Sequence, residues 1–315
     1  MLPTLEDVES ARARIAGLAL RTPLVRLQAE LPDSSAEVWL KLESLQPIGS
    51  FKIRGAANAM ARLGRGRLAG GVLTASAGNM AQGVAYCARR MGIPATIVAP
   101  DTAPQTKLRA IERLGGRVIL APFAHWWRCF ETRSYPGVEA TFLHAFDDPD
   151  VMAGNATIAL ELLEDLPDLQ VVVIPWGGGG LACGIAAVLR RLAPQVQIYA
   201  AEAATAAPLA AALAAGAPCE VPYQPSFVDG IGSKIVLASM FERAQKLLDG
   251  SLVVTLDEAA AAMKLAAERN RVILEGAAAC AVAAALRGRA GGGRVAAIAS
   301  GGNIDLAQFA ALTAG

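Results

Sequence analysis

The sequence predicts an α/β protein of two lobes, each a mostly parallel sheet flanked by helices. Three observations carry that reading. Short β-type runs alternate with helix-period segments from Val72 to Leu120, and the same rhythm restarts near Val151 and continues to Ala201. At Thr74 to Gly83 and again at Val171 to Leu181, a strand passes through small residues straight into a helix, as the crevice of a parallel sheet requires. At 315 residues the chain has room for two moderate domains with a substantial core.

The elements follow in order. Thr4-Leu5-Glu6-Asp7 reads as a capping box, and Val8, Ala11, Ile15 and Leu18 share one face of the helix it opens. After Thr22-Pro23 comes a strand at Val38 to Leu42. Pro47 and Gly49 break regular structure, so Ser44 to Ala56 reads as a turn, with a helix from Ala56 to Leu63 that stops in the Gly64 to Gly71 region. The first series is strand Val72 to Thr74, helix Met80 to Met91, strand Ala95 to Ala99, helix Gln105 to Leu114 and strand Arg117 to Leu120. After Pro122 the rhythm fails, and Phe123, Trp126, Trp127 and Phe130 sit near His125 in an irregular or short helical stretch that reads first as packing. The second series is helix Ala156 to Leu166, strand Val171 to Ile174, helix Leu181 to Leu192 and strand Gln197 to Ala201. Strand Leu252 to Val254, a helix opened by the Thr255 to Glu258 capping box, and strand Val295 to Ala299 complete it. The expected division is a large domain of residues 1–62 and 149–315 with a small inserted α/β domain, 63–148, and a pocket at the carboxyl ends of the strands.

Composition excludes several function classes. A net charge of +1 with 18% charged residues leaves no basic stripe for nucleic acid and no membrane-surface patch. The 54% hydrophobic content is inflated by alanine: the runs at Ala203 to Ala217 and Gly276 to Leu286 are interrupted by Pro208 and Gly216 or ended by Arg287. Neither offers the ~20 strongly apolar residues of a membrane span. The first residues mix Glu6, Asp7 and Glu9 with Arg12 and Arg14, unlike a signal peptide. Five scattered cysteines without a Cys-x-x-Cys fit reduced thiols and a cytoplasmic enzyme. Two histidines leave few candidates for a metal site or a triad, and there is no Gly-x-Ser-x-Gly elbow. Elimination favours catalysis by a borrowed cofactor.

Four segments carry candidate chemistry. Lys52 lies between Phe51 and Ile53, where desolvation and the neighbouring Arg54 would both disfavour its ammonium and make the amine a usable base and Schiff-base nucleophile. The bland alternative is a lysine snorkelling at a helix end. Gly177 to Gly180, between a strand and a helix N-terminus, form a phosphate cradle. Gly177-x-Gly179-x-x-Ala182 with Glu202 at the end of the next strand also satisfies a dinucleotide fingerprint, which keeps a nicotinamide-dependent dehydrogenase open. Ser76-Ala77-Gly78-Asn79-Met80-Ala81-Gln82 repeats the strand-turn-helix pattern and suits a substrate carboxylate, unless Ser76 or Asn79 is an ordinary cap. Ser300-Gly301-Gly302-Asn303 presents a hydroxyl after the last strand, or is simply a turn.

Together Gly49 to Gly55, Ser76 to Gln82, the tetraglycine loop, Phe227-Val228-Asp229-Gly230-Ile231 and Ser300 to Asn303, in this order over nearly the whole chain, resemble the fold-type II pyridoxal-phosphate enzymes. The similarity is closest to their threonine/serine dehydratase (ammonia-lyase) branch, related to serine racemase, with a fold like that of the tryptophan synthase β chain. The resemblance implies pyridoxal 5'-phosphate as cofactor, Lys52 as its Schiff-base lysine and general base, and a cofactor set of Phe51, Lys52, Asn79, Gly177, Gly178, Gly179, Gly180, Leu181, Glu275 and Ser300. Ser76, Ala77, Gly78, Asn79, Met80 and Gln82 would hold substrate. A neutral Ser300 hydroxyl at the pyridine nitrogen makes a weaker electron sink than an aspartate would, which favours prompt expulsion of a β leaving group. The implied reaction is dehydration and deamination of a β-hydroxy amino acid such as threonine or serine to a 2-oxo acid and ammonia, in a homodimer.

Departures from the family pattern refine the expectation. Met80 stands where dehydratases of this type usually have histidine, which suits a less polar or larger β-substituent. With Trp126 and Trp127 it suggests an aryl substrate such as phenylserine. Ala77 stands at the serine of the racemases, which speaks against racemisation. Pro208 or its alanine neighbours occupy the place of a second acid after Glu202, so no metal is expected. The chain reaches Gly315 soon after Ser300, which implies no regulatory domain of the biosynthetic deaminases. A β-replacement synthase or racemase is the nearest alternative; a dehydrogenase leaves Lys52 and Ser300 unexplained, and a non-catalytic binding module has no use for a desolvated lysine.

Overall fold

The structure, a computed structural model, describes residues 1–29, 36–286 and 293–314. Arg287 and Gly315, invoked above, lie outside the described residues. In chain order the helices and strands are α1 (Leu5–Ile15), β1 (Leu24–Arg26), β2 (Ala36–Lys41), α2 (Lys52–Arg67), β3 (Val72–Ala75), α3 (Asn79–Met91), β4 (Ala95–Pro100), α4 (Gln105–Arg113), β5 (Gly116–Ala121), α5 (Phe123–Thr132), β6 (Thr141–Phe142) and α6 (Pro149–Asp165). They continue as β7 (Val171–Pro175), α7 (Gly180–Leu192), β8 (Gln197–Ala203), α8 (Pro208–Ala215), α9 (Ala238–Leu247), β9 (Gly250–Val254), α10 (Leu256–Asn270), α11 (Gly276–Leu286), β10 (Gly293–Ile298) and α12 (Leu306–Thr313).

Apart from the first two residues, the chain divides into one unit of Pro3–Leu20 and Phe51–Thr157 and another of Arg21–Ser50 and Ile158–Gly315. The first unit holds a four-stranded sheet in the order β5-β4-β3-β6, parallel throughout. Its strands are the short apolar runs expected of a sheet covered on both faces; Val72 to Ala75 are all buried. The second unit holds a six-stranded sheet, β1-β2-β10-β7-β8-β9, in which only β1 is antiparallel to its neighbour. Its core joins Leu40, Val173, Ala201 and Val295 to the alanine-rich α11.

Both expected capping boxes are present, with Asp7 N donating to Thr4 Oγ1 at 3.2 Å and Glu258 N to Thr255 Oγ1 at 3.2 Å. Two helices start well before the sequence suggested, while Gly64 (φ +70°) interrupts α2 in the region where the sequence placed its stop. α2 opens at Lys52 rather than Ala56, because Gly49 (φ +71°) reverses the chain before the helix instead of breaking it, and Ile53, Ala56 and Met60 then share a buried face. α6 opens at Pro149 rather than Ala156, proline being suited to a first helical position. In the alanine run, Pro208 and Gly216 (φ +74°) are not interruptions but the first residue and the C-cap of α8. No described helix is long and apolar enough to cross a membrane.

Candidate active site

In the second unit the parallel register places the glycine loop beside Ser300. β10 pairs with β7 as Val295 with Val171 and Ala297 with Val173, so Ser300 and Trp176 leave adjacent strand ends at the same level. The loop then turns at Gly179 (φ +87°), the N-cap of α7, with no side chain capping the first turn. A methyl on Gly179 would lie 2.4 Å from the Trp176 ring, so both the backbone angle and the space demand glycine. Phe227 to Ile231 flanks the same loop: a methyl on Gly177 would meet Gly230 O at 3.4 Å. Glu275 N donates to Gly301 O at 3.0 Å, and its carboxylate lies 2.6 Å from where a side chain on Gly301 would start. Asn303 Nδ2 donates to Ile48 O at 2.8 Å and Ser50 bridges Gly301, so the segment that precedes Phe51 is fastened to the Ser300 loop.

These residues fit a phosphorylated cofactor. Ser50 Oγ and Trp176 Nε1 are buried without a hydrogen-bond partner, and each belongs to a segment packed on one of the two loops. Orphaned buried donors are rare in folded proteins and mark places where a polar ligand completes the bonding. Trp176, which is 1% exposed, was not legible as a site residue because a tryptophan after a strand reads as core.

The first unit holds Lys52 and the small-residue loop. Lys52 is the first residue of α2, half-buried, with Nζ donating to Ala145 O at 3.1 Å and 5.1 Å from the centre of the Phe51 ring. Its backbone is approached closely by α3: a methyl on Gly83 would meet the Lys52 carbonyl at 3.2 Å. On α6, a methyl on Gly154 would fall 2.3 Å from Arg54 O. Residues two apart in a helix point to different faces, and the buried Arg54 guanidinium donates to Thr157 Oγ1 at 3.0 Å and Leu20 O at 3.1 Å. Gly78 N-caps α3 without a side-chain cap bond of its own, and its N–H donates to Ser76 Oγ at 3.1 Å. Met80 and Gln82 are both buried, and Ala77 packs against Ala99, Ala103 and Leu108.

The aromatic segment is a partly buried helix whose inner face lies on the sheet of the first unit, with Cys129 buried and Phe123 62% exposed. Trp126 and Phe130 of α5 pack on Leu73, Ala75, Val98 and Cys129, which gives the packing reading the better account and removes Trp126 from the argument for an aryl substrate.

His144 sits behind Lys52 at 3% exposure, ringed by Phe130, Phe142 and Phe146. Burial pushes its pKa down to about 4, with the charges of Arg133 and Lys52 acting in the same direction and Asp147 opposing. Unfolding restores the ordinary value near 6.5, so below that pH the unfolded chain binds a proton that the folded one refuses. Stability is therefore expected to fall by ~3 kcal/mol between pH 6.5 and 4 on this account alone, with no contribution above pH 7. Urea titrations across that range check it, since His144→Asn should flatten the slope.

Two further charged groups proved structural. Lys41 is the fully buried lysine, at 0% exposure, held by Glu161 at 2.7 Å and Thr22 O at 2.7 Å. Glu202 is 1% exposed and accepts from Leu209 N (2.9 Å), Ala210 N (2.8 Å) and Ser251 Oγ (2.6 Å), so it closes the start of α8 rather than facing a ribose. Burial raises its pKa and those hydrogen bonds hold it back. Glu202→Ala, which strands three donors, is expected to cost about 3 kcal/mol in chemical denaturation without weakening cofactor binding. Among the described residues no group of three His, Cys, Asp or Glu is placed to hold a metal.

Comparison with known proteins agrees with this geometry. The family model described as "Pyridoxal-phosphate dependent enzyme" matches residues 15–301. The L-threonine ammonia-lyase of Thermotoga maritima is 40% identical over 306 residues, covering 96% of this chain and 76% of that protein. Among solved structures, maize serine racemase superposes with a TM-score of 0.91 at 30% identity, covering 98% of this chain and 96% of that one. The processed form of threonine deaminase isoform 2 from Solanum lycopersicum gives 0.85 at 33%, covering 99% and 94%.

Proposed function

The chain belongs to the pyridoxal-phosphate dependent enzyme family, and from that premise we propose the residue roles of a lyase that converts threonine or serine to the 2-oxo acid and ammonia. It is a pyridoxal-phosphate-dependent lyase of the threonine ammonia-lyase type. The observation that carries the roles is the emergence of Ser300 and the glycine loop from neighbouring ends of β10 and β7.

Bound pyridoxal 5'-phosphate supplies the electron sink that loosens the substrate's Cα proton and lets the β-hydroxyl leave. The chain's residues do the rest. The Gly177 to Leu181 amides, at a helix N-terminus, hold the phosphate, and Glu275 and Phe51 shape the walls. The Ser300 hydroxyl would face the ring nitrogen of the bound cofactor with a neutral group, which would keep the sink moderate, and Asn79 would hydrogen-bond the phenolic oxygen. The Ser76 to Met80 turn takes the substrate carboxylate on the amides at the start of α3, with Gln82 at its edge. Lys52 Nζ, tethered by Ala145 O, removes the proton from Cα. Ala77 ends in a methyl packed against carbon, which cannot deliver a proton to the opposite face as racemisation requires. The functional division we propose is a cofactor-binding domain of residues 1–62 and 149–315 with 63–148 carrying the substrate turn, a division distinct from the two compact units, in which Lys52 clusters with that turn. Five cysteines outside any disulfide, four of them buried, suit a reducing cytoplasm, and the enzyme acts as a homodimer.

The test is a panel of threonine, serine and phenylserine stereoisomers assayed for 2-oxo acid, together with borohydride reduction and mapping of the adduct. Threonine or serine turnover with the label on the Lys52 peptide is the expected result. A label elsewhere defeats the assignment.

A further inference from the structure

Lys52 is aimed by a carbonyl that lies on a short turn after β6. That turn has a fixed shape on its strand side: Leu143 N donates to Leu73 O at 2.8 Å and Thr74 Oγ1 to Leu143 O at 2.9 Å, which prolongs the sheet by one residue. On its far side Asp148 Oδ1 accepts from Asp150 N at 2.8 Å and Val151 N at 3.2 Å at the start of α6. Between these anchors the His144 ring supplies the backbone with an acceptor. His144 Nδ1 takes Phe146 N at 3.3 Å and Asp147 N at 2.9 Å, and the intervening Ala145 carbonyl is thereby turned toward Nζ.

We propose that His144 is a positioning residue for Lys52: its Nδ1, by gathering two backbone N–H groups, sets the turn whose Ala145 carbonyl holds the amine.

The chemistry requires a neutral ring, because only the unprotonated nitrogen of an imidazole accepts, and a protonated Nδ1 would direct a third N–H at two others. The ring's surroundings enforce that state. Phe146 meets it edge-on at 4.6 Å and Phe130 at 5.4 Å, and the burial they impose outweighs the nearby Asp147 carboxylate, with Arg133 and Lys52 acting in the same direction as burial. A lysine side chain has up to ~2 kcal/mol of rotamer freedom to lose, so an amine that must reach a substrate carbon benefits from an acceptor built in beforehand. Nothing in this requires His144 to touch substrate; it acts through Ala145.

The inference rests on the functional reading above, and the experiment separates the two. Apo-protein is mixed with pyridoxal 5'-phosphate, and the rate of covalent capture is followed by visible absorbance and by borohydride trapping at Lys52. His144→Phe keeps a flat ring without an acceptor. His144→Asn keeps an acceptor oxygen near the place of Nδ1. His144→Gln carries it one methylene too far. Capture and kcat should fall ~10- to 100-fold in His144→Phe and His144→Gln, with KM within ~3-fold, while His144→Asn stays within ~5-fold of wild type. Affinity for inorganic phosphate, which reports the glycine loop, should be unchanged in all three. If His144→Phe does not fold, the Gln and Asn pair carries the comparison. Wild-type rates in His144→Gln, or equal losses in Gln and Asn, overturn the inference. Wild-type protein that captures no pyridoxal phosphate overturns the functional reading and this inference with it.

Discussion

Lys52→Ala is expected to lower turnover by at least ~10⁴-fold, the largest effect of any single change in this chain, because one amine serves as both covalent anchor and base. The fold should survive. Lys52 occupies the first position of α2, where alanine is readily accommodated, and the packing of Gly83 and Gly154 on this turn involves backbone rather than the lysine side chain. A thermal melt within a few degrees of wild type together with lost 2-oxo acid production is the expected pair of results. Retained turnover would remove the basis of the mechanism, while loss of both would show that Ala145 holds the turn through Lys52 rather than the reverse.

Gly179→Ala should produce the second largest effect, and through a different cause. The residue has φ +87°, which costs an alanine ~1 to 2 kcal/mol, and the new methyl would stand 2.4 Å from the Trp176 ring and 2.9 Å from Met240 Cε. Trp176 is 1% exposed, so relieving the clash means shifting the loop that must cradle the phosphate. Adding backbone and packing costs gives ~2 to 4 kcal/mol of stability, and apo-protein should bind pyridoxal 5'-phosphate at least ~30-fold more weakly. Equilibrium dialysis and urea denaturation measure the two separately. Unchanged cofactor affinity in a destabilised variant would place the phosphate elsewhere.

The contrast between two lysines shows where reading a sequence stops. Lys52 reads as a desolvated amine from its apolar neighbours, yet the lysine with no exposed surface is Lys41, in a strand that alternates like any other. Lys41 is taken up by the Glu161 carboxylate at 2.7 Å and the Thr22 carbonyl at 2.7 Å, contacts made through space that its place in a strand does not announce, and the Lys52 amine reaches the Ala145 carbonyl at 3.1 Å. Glu202 illustrates the same point for an acid: its position at a strand end matched a ribose ligand, but three donors already occupy its oxygens.

The parts legible in the sequence alone were those whose causes are local. Alternating strand and helix periods, capping boxes at Thr4 and Thr255, and strand ends running through small residues into helices each depend on a few consecutive side chains, so the order of residues was enough to place them. Folding in three dimensions decided what surrounds each group. The acceptor for Lys52 is 93 residues away in the chain, and the neutrality of His144 comes from rings on α5, on β6 and in the turn itself. Burial, charge and hydrogen bonding act through space, and no window along the chain contains the atoms that set them.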